Sequence, residues 1–353
     1  MKIAFYTPSL AVGGYEKVVV NYANAFSKKY EVVILCGMAE GELKNSVLPT
    51  VTVVNFNVRA RGVCGALTKW LKHNHTDILY VPFASFTAIA VLAKIASHSK
   101  TVIYSAQHGF EKKSVYDRLL GKIVQKADVL IAVSKTVAAY DAQRFGIPFK
   151  RYYIFDNPVI NQSVLQKYDK KSKETLPTFV TAGRLALDKH LEIAIQIVAT
   201  VSKKQSIRLR ILGEGPEKEN LKALVKQLGA EEYIQFVGFV NDPIEHMRGC
   251  SALLLTSEVE SFGNVVVEAL CCGVPVITTN CGGPVDIIEG DKYGIAIGTY
   301  DDPNVIDNGV RAILAILNGD KRFVNLKQKA ERYDAANLEN QFLEPYYEHI
   351  QKN

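Results

Sequence analysis

The chain has 353 residues, 48% of them hydrophobic and 22% charged, with a net charge of +6. This length predicts about two domains, and the composition is that of a globular protein and not of a disordered or fibrous one. The long uncharged run at residues 78–93 is broken by Pro82, Ser85 and Thr87, so it falls short of the ~18 apolar residues that suggest a membrane span. Met1-Lys2 leads directly into the strand-like Ile3-Ala4-Phe5-Tyr6 with no secretory signal, which makes the cytosol the expected location. The six cysteines show no C-x-x-C pair and no metal spacing, so free thiols in a reducing compartment are expected. Charge is uneven: residues 1–170 hold 22 Lys+Arg against 11 Asp+Glu, and the remainder holds 20 against 25. A basic N-terminal half suits an anionic membrane surface, a phosphorylated substrate or nucleic acid.

In chain order, Ile3–Tyr6, Val32–Leu35, Val51–Phe56, Ile78–Val81, Val102–Ser105, Val129–Val133 and Tyr153–Phe155 read as strands, mostly separated by amphipathic stretches. The rhythm resumes with Phe179–Ala182, Arg208–Leu212, Ile234–Phe236, Ala252–Leu255, Val276–Thr278 and Ile295–Ile297. Alternation of this kind predicts two doubly wound parallel sheets. Asn161 to Pro177 carries few large apolar residues and reads as the linker, with the boundary near residue 172. The tail from Asp301 reads as helical, and Leu338, Phe342, Leu343, Tyr346, Tyr347 and Ile350 give its last piece an apolar side that can dock.

Ligands of open parallel sheets bind beyond the carboxyl ends of the strands. After the first strand, Gly13-Gly14 opens a helix, either as a plain turn or to let backbone approach a phosphate. His108-Gly109 follows the fifth strand, where the imidazole is either structural or in reach of a polar ligand. Arg184 leaves the first strand of the second half, and Lys189 follows at the start of the next helix. Two cations so placed suit a diphosphate.

Ser257 to Ile277 holds two carboxylates in different settings. Glu260 falls in a strand-to-helix turn, ahead of the backbone N–H groups of Phe262, Gly263, Asn264 and Val265; Glu268 lies roughly two turns into the helix that opens at Gly263. Such a helix start attracts anions. Arg59, Arg61, Lys69 and Lys72 surround Val63, Leu67, Trp70 and Leu71 at helical spacing, which fits either a membrane-surface helix or a solvated helix packed on the core. Lys112, Lys113, Arg118, Lys122 and Lys126 form a second basic group with the same two readings.

Taken together, G-G-Y-E at 13–16, H-G at 108–109, A-D-V-L-I-A-V-S at 127–134, N-P-V at 157–159, G-R-L-x-x-x-K at 183–189, G-E-G-P at 213–216, F-V-G-F at 236–239, E-S-F-G-N-V-V-V-E-A at 260–269 and C-G-G-P at 281–284 resemble the retaining GT-B glycosyltransferases that use nucleotide-sugar donors, of the family 4 or group 1 type. The resemblance runs through essentially the whole chain in order. It implies an α/β fold of two Rossmann-like domains facing a central cleft. Residues 1–172 would receive the acceptor, with a last helix at about 335–353 packing back on them, and residues 173–334 would hold the nucleotide-sugar.

In that resemblance Arg184 and Lys189 bind and stabilise the departing diphosphate, Glu260 contacts the donor sugar, and Glu268 bonds the ribose. The amides of Phe262 to Val265 bind sugar and phosphate, Val237 to Asn241, with Phe239, lines the base, Gly13 and Gly14 approach the diphosphate, and His108 lies near the transferred sugar. No D-x-D occurs, so neither a metal nor another cofactor is expected. The partners implied are a nucleotide-sugar, a UDP-sugar by the family at large, and a glycan or lipid-linked acceptor, with peripheral contact to an anionic membrane and no nucleic acid. His190 departs from the glycine common after the lysine. A GT-B epimerase, or a nucleotide- or RNA-binding α/β protein without catalysis, remains open as another reading.

Overall fold

The computed structural model describes residues 1–11, 13–111, 113–161, 164–165, 174–319 and 322–352. Val12, Lys112, the boundary expected near residue 172 and most of the expected linker lie outside these residues. The chain divides into two compact units, Met1–Asn161 with Tyr333–Asn353, and Gln162–Arg332.

The first unit is built on a seven-stranded parallel sheet ordered β3-β2-β1-β4-β5-β6-β7. Its strands are β1 (Lys2–Thr7), β2 (Glu31–Cys36), β3 (Thr52–Asn55), β4 (Ile78–Pro82), β5 (Val102–Gln107), β6 (Val129–Ala132) and β7 (Tyr152–Ile154). The central strands are apolar on both faces, as β4 with I-L-Y-V-P illustrates; every one of its residues is buried. Strands of this type form where helices cover both sides of a parallel sheet. On one side lie α1 (Gly14–Phe26) and a C-terminal helix, Glu339–Lys352, whose Phe342 is fully buried against Phe5, Tyr22, Phe26, Tyr80 and Tyr104. On the other lie α2 (Val63–His73), α3 (Ala84–Ser97), α4 (Asp117–Val124) and α5 (Lys135–Phe145), with Phe86 of α3 against Tyr6 of β1. In α2 the apolar stripe of Val63, Leu67 and Leu71 is buried while Arg61, Lys69 and Lys72 are exposed.

The second unit has six parallel strands ordered β10-β9-β8-β11-β12-β13. These are β8 (Thr178–Ala182), β9 (Arg208–Leu212), β10 (Ile234–Gly238), β11 (Ala252–Leu255), β12 (Val276–Thr278) and β13 (Gly294–Ala296). Strand order reverses between β1 and β4 in the first unit and between β8 and β11 in the second. At such switch points the loops leaving adjacent strands diverge and open a crevice for ligand.

Two expectations from sequence need correcting. Lys189 does not start a helix: it ends a short 3-10 turn, Leu187–Lys189, and the helix begins two residues later at Leu191. Glu268 is the fifth residue of the helix Asn264–Cys271, so it stands little more than one turn in, because the helix starts after Gly263.

Candidate functional site

In the second unit the loop after β8 and the loop after β11 are neighbours because β8 and β11 pair directly. The Glu258 amide donates to the Asp188 carbonyl at 2.9 Å, and the Thr256 hydroxyl to the Lys189 carbonyl at 3.2 Å. These bonds set two charged side chains against each other: Lys189 Nζ lies 2.8 Å from Glu260 Oε1. The buried Ser257 hydroxyl donates to the same oxygen at 2.8 Å. Asp188 flanks the ammonium at 3.5 Å. Burial works to lower the Lys189 pKa, but Glu260 and Asp188 outweigh it and hold the ammonium above its ordinary value. Arg184 stands exposed in the same loop, 3.6 Å from Asp188.

Glu260 is also fixed through its backbone. Its amide donates to the Cys281 carbonyl at 2.6 Å, and the Gly283 amide donates back to its carbonyl at 3.1 Å. The loop after β12 thus buttresses the turn that carries it. Phe262 and Gly263 are buried, while Asn264, Val265 and Glu268 are half-buried. Gly263, with φ +92°, is the N-cap of the helix Asn264–Cys271, and a Cβ there would sit 2.8 Å from Pro284. Both facts reserve the position for glycine. Val237, expected in a loop, is half-buried near the end of β10, and Phe239 is exposed in the loop after it.

His190 holds a left-handed conformation, φ +44° and ψ +45°, between the 3-10 turn and the next helix. A side chain costs free energy in that region. Contacts offset the cost: Nδ1 lies 2.7 Å from Glu192, and the ring stacks on Tyr300 at 4.4 Å.

In the first unit Gly13 is the N-cap of α1, and a Cβ there would overlap the Glu16 carboxylate, which folds back over the helix start. Gly14 is exposed in the first turn. His108 shares a 2.7 Å hydrogen bond between Nε2 and the Tyr80 hydroxyl, and its ring meets the edge of Tyr15 at 4.8 Å. Burial pushes the imidazole down to about 3, so it is neutral at physiological pH. Arg59 and Arg61 flank the start of α2 and are exposed; Trp70 is half-buried, with the Lys2 ammonium 5.7 Å above its ring.

Arg184, Lys189 and Glu260 are therefore brought together by two adjacent loops, whereas Glu268, Val237 and Phe239 stand on separate elements of the same unit. Sequence reasoning passed over Ser257, Asp188, Tyr15 and Tyr80. Ser257 carried a signal as the small polar residue next to a buried apolar strand; the pairing of Tyr80 with His108 depends on β4 lying beside β5, which no local pattern announces.

Two family models cover the chain: "Glycosyltransferase Family 4" matches residues 12–161 and "Glycosyl transferases group 1" matches residues 165–333. Among curated proteins, a Campylobacter jejuni N-acetylgalactosamine-N,N'-diacetylbacillosaminyl-diphospho-undecaprenol 4-alpha-N-acetylgalactosaminyltransferase is 26% identical, over 96% of this chain and 97% of its own length. The lipopolysaccharide 1,6-galactosyltransferase of Escherichia coli K12 is also 26% identical, over 83% and 84%. Among solved structures, Anabaena HepE in complex with UDP superposes with a TM-score of 0.79 at 20% identity, covering 99% of this chain and all of its own.

Proposed function

The chain belongs to the GT-B glycosyltransferases, with a family 4 region followed by a group 1 region, and from that premise we propose that it moves a sugar from a UDP-sugar to a glycan or lipid-linked acceptor, with retention at the anomeric carbon. The observation that carries this reading is the Lys189–Glu260 pair, 2.8 Å apart at the switch point of the second sheet. It offers a cation for a departing diphosphate next to a carboxylate for sugar hydroxyls, and both are already oriented before a donor arrives. Relatives named for transfer onto diphospho-undecaprenol-linked glycans and lipopolysaccharide support an acceptor of that class. A neighbour that binds UDP supports the nucleotide.

In this reading the bond between the anomeric carbon and the diphosphate oxygen breaks while the acceptor hydroxyl attacks from the same face and passes its proton to the departing phosphate oxygen. Negative charge grows on the leaving diphosphate, and Lys189 and Arg184 stabilise it as it develops. Glu260, steadied by Ser257, holds the sugar, and Glu268 holds the ribose. Neutral His108, anchored by Tyr80, acts as a hydrogen-bonding group and not as a charged one. No metal is assigned a step, since the two cations occupy the role that a divalent ion would fill.

A screen of UDP- and GDP-sugars tests the proposal, read by thermal shift and by donor consumption with a lipid-diphosphate-linked acceptor in the presence of EDTA. Product formation with the anomeric configuration of the donor, seen by NMR, is the expected result. Isomerisation of the donor without acceptor would replace it with an epimerase, and inverted product or full inhibition by EDTA would sink the mechanism.

A further inference from the structure

We propose that His190 is a positioning residue for the reaction: its side chain ties the loop after β8 to the loops after β11 and β13, and so holds Lys189 against Glu260. The backbone at His190, φ +44° and ψ +45°, is left-handed, a conformation that glycine takes freely and a side chain takes at a cost. Such a residue persists where its surroundings over-determine it, and functional sites are where that happens most. Here the surroundings are two other loops as well as the helix that follows. Nδ1 lies 2.7 Å from Glu192 in the first turn of the helix Leu191–Ser202. Nε2 lies 3.7 Å from Glu258, in the loop after β11. The ring lies on Tyr300, in the loop after β13, with centroids 4.4 Å apart and planes 19° from parallel. Tyr300 and Glu258 also meet: the Glu258 charge, ahead of burial and of Asp301, pushes the Tyr300 phenol above its ordinary pKa.

Two links run side by side between the same two loops. His190 reaches Glu258 while Lys189 reaches Glu260, and the Glu258 amide and the Thr256 hydroxyl add their bonds to the carbonyls of Asp188 and Lys189. The Lys189 ammonium sits on a flexible four-carbon stem, so its place against Glu260 follows the place of its backbone. That backbone belongs to a 3-10 turn of three residues, Leu187–Lys189, too short to hold itself rigid. The His190 ring is what braces its far end. Loss of the brace has a chemical consequence at Lys189, where burial works against the charge and Glu260 and Asp188 sustain it. An ammonium that drifts from Glu260 gives up its proton more readily, which makes the position of Lys189 readable without any substrate.

The inference rests on the proposed function for its catalytic sense, and its test therefore has one arm without turnover and one with it. In the first, full-length protein without donor or acceptor is acylated with limiting N-hydroxysuccinimidyl acetate, which attacks the neutral amine. The rate at Lys189 is read by peptide mass spectrometry against Lys218, which pairs with Glu214 elsewhere in the same unit. His190→Gly suits the left-handed backbone and so keeps the fold. It and Tyr300→Ala should each raise the Lys189 rate about threefold or more relative to Lys218, and Tyr300→Phe, which keeps a ring for the stack, should raise it less. An unchanged ratio in His190→Gly and Tyr300→Ala would overturn the proposal, whether neither lysine reacts faster or both do so equally. In the second arm, His190→Gly should lower kcat about tenfold in the wild-type background and have no further effect on Lys189→Ala. Equal losses in both backgrounds would show that His190 acts without Lys189, and the positioning role would fall. A wild type that turns over no UDP-sugar would refute the proposed function, and the acylation ratios would still decide the role of His190.

Discussion

Lys189 Nζ and Glu260 Oε1 are 2.8 Å apart, and Ser257 donates to the same carboxylate oxygen. Each charge is the other's nearest partner before any ligand is present, so removing one leaves Lys189 with only Asp188, or Glu260 with only the Ser257 hydroxyl, beside it. We expect Lys189→Ala and Glu260→Ala each to lower kcat/KM by about 10²–10³, on the order of 3–4 kcal/mol of transition-state stabilisation. The double variant should lose much less than the sum. Steady-state kinetics of the four proteins check this, and full additivity would mean that the two residues act apart. Arg184→Ala, at an exposed and loosely paired position, should lower kcat without a comparable effect on stability.

Glu268 stands one turn into a different helix from the loops that carry that pair. Its proposed contact is with the nucleotide, present equally in ground and transition states. Glu268→Ala should therefore raise the donor KM by about tenfold, near 1.4 kcal/mol, and leave kcat close to wild type. A fall in kcat at saturating donor would move Glu268 into the chemistry.

Two buried groups in the first unit tilt stability with pH in opposite directions. His108 is held down to about 3 by burial; between its unfolded value near 6.5 and that value the unfolded chain binds more protons, so its contribution is complete above pH ~6.5 and fades as pH falls towards 3. Asp141 is pushed up to about 7, first by burial and then by the Glu111 and Asp117 carboxylates, with Arg144 opposing. Its contribution is complete below pH ~4 and is lost as pH rises towards 7. Denaturation curves from pH 4 to 8 should show Asp141→Asn gaining stability over wild type as pH rises, by a few kcal/mol at most. A constant difference across that range would show that Asp141 does not titrate there. The turnover profile should carry no limb near pH 6.5 from His108, since its imidazole is already neutral.

His190 keeps a left-handed backbone with its ring on Tyr300 and its Nδ1 at Glu192. His190→Ala keeps the backbone cost and loses both contacts, whereas His190→Gly loses the contacts and the cost together. The glycine variant should be the more stable of the two by about 1 kcal/mol in urea unfolding. The reverse order would mean that the loop abandons this conformation once the ring is gone.

Phe342 is fully buried among Phe5, Tyr22, Phe26, Tyr80 and Tyr104. Phe342→Ala should cost about 3–5 kcal/mol, read as a lower unfolding midpoint of the first unit. A loss below 1 kcal/mol would show that the aromatic shell closes over the gap.

The strands were legible because parallel strands covered on both faces leave continuous apolar runs, as at Ile78–Val81 and Ala252–Leu255, and a run of this kind has no other economical use. Gly263 was legible as a helix start because only glycine meets its φ and its contact with Pro284. The partnership of Lys189 with Glu260 was not, since 71 residues separate them and what joins them is the adjacency of β8 and β11. Periodicity likewise revealed that α2 is amphipathic but not which way its stripe points. Packing against α3 decides that, and the stripe of Val63, Leu67 and Leu71 is buried.

The burial of Phe342 against β1 also imposes an order on synthesis. A ribosome releases Phe5 before Phe342, with the whole second unit made in between. The first-made sheet must wait with an aromatic gap on one face while the later unit folds on its own local contacts. Termination after the second unit is complete but before residue 342 would thus leave the older half of the chain, not the younger, as the part that chaperones and proteases find.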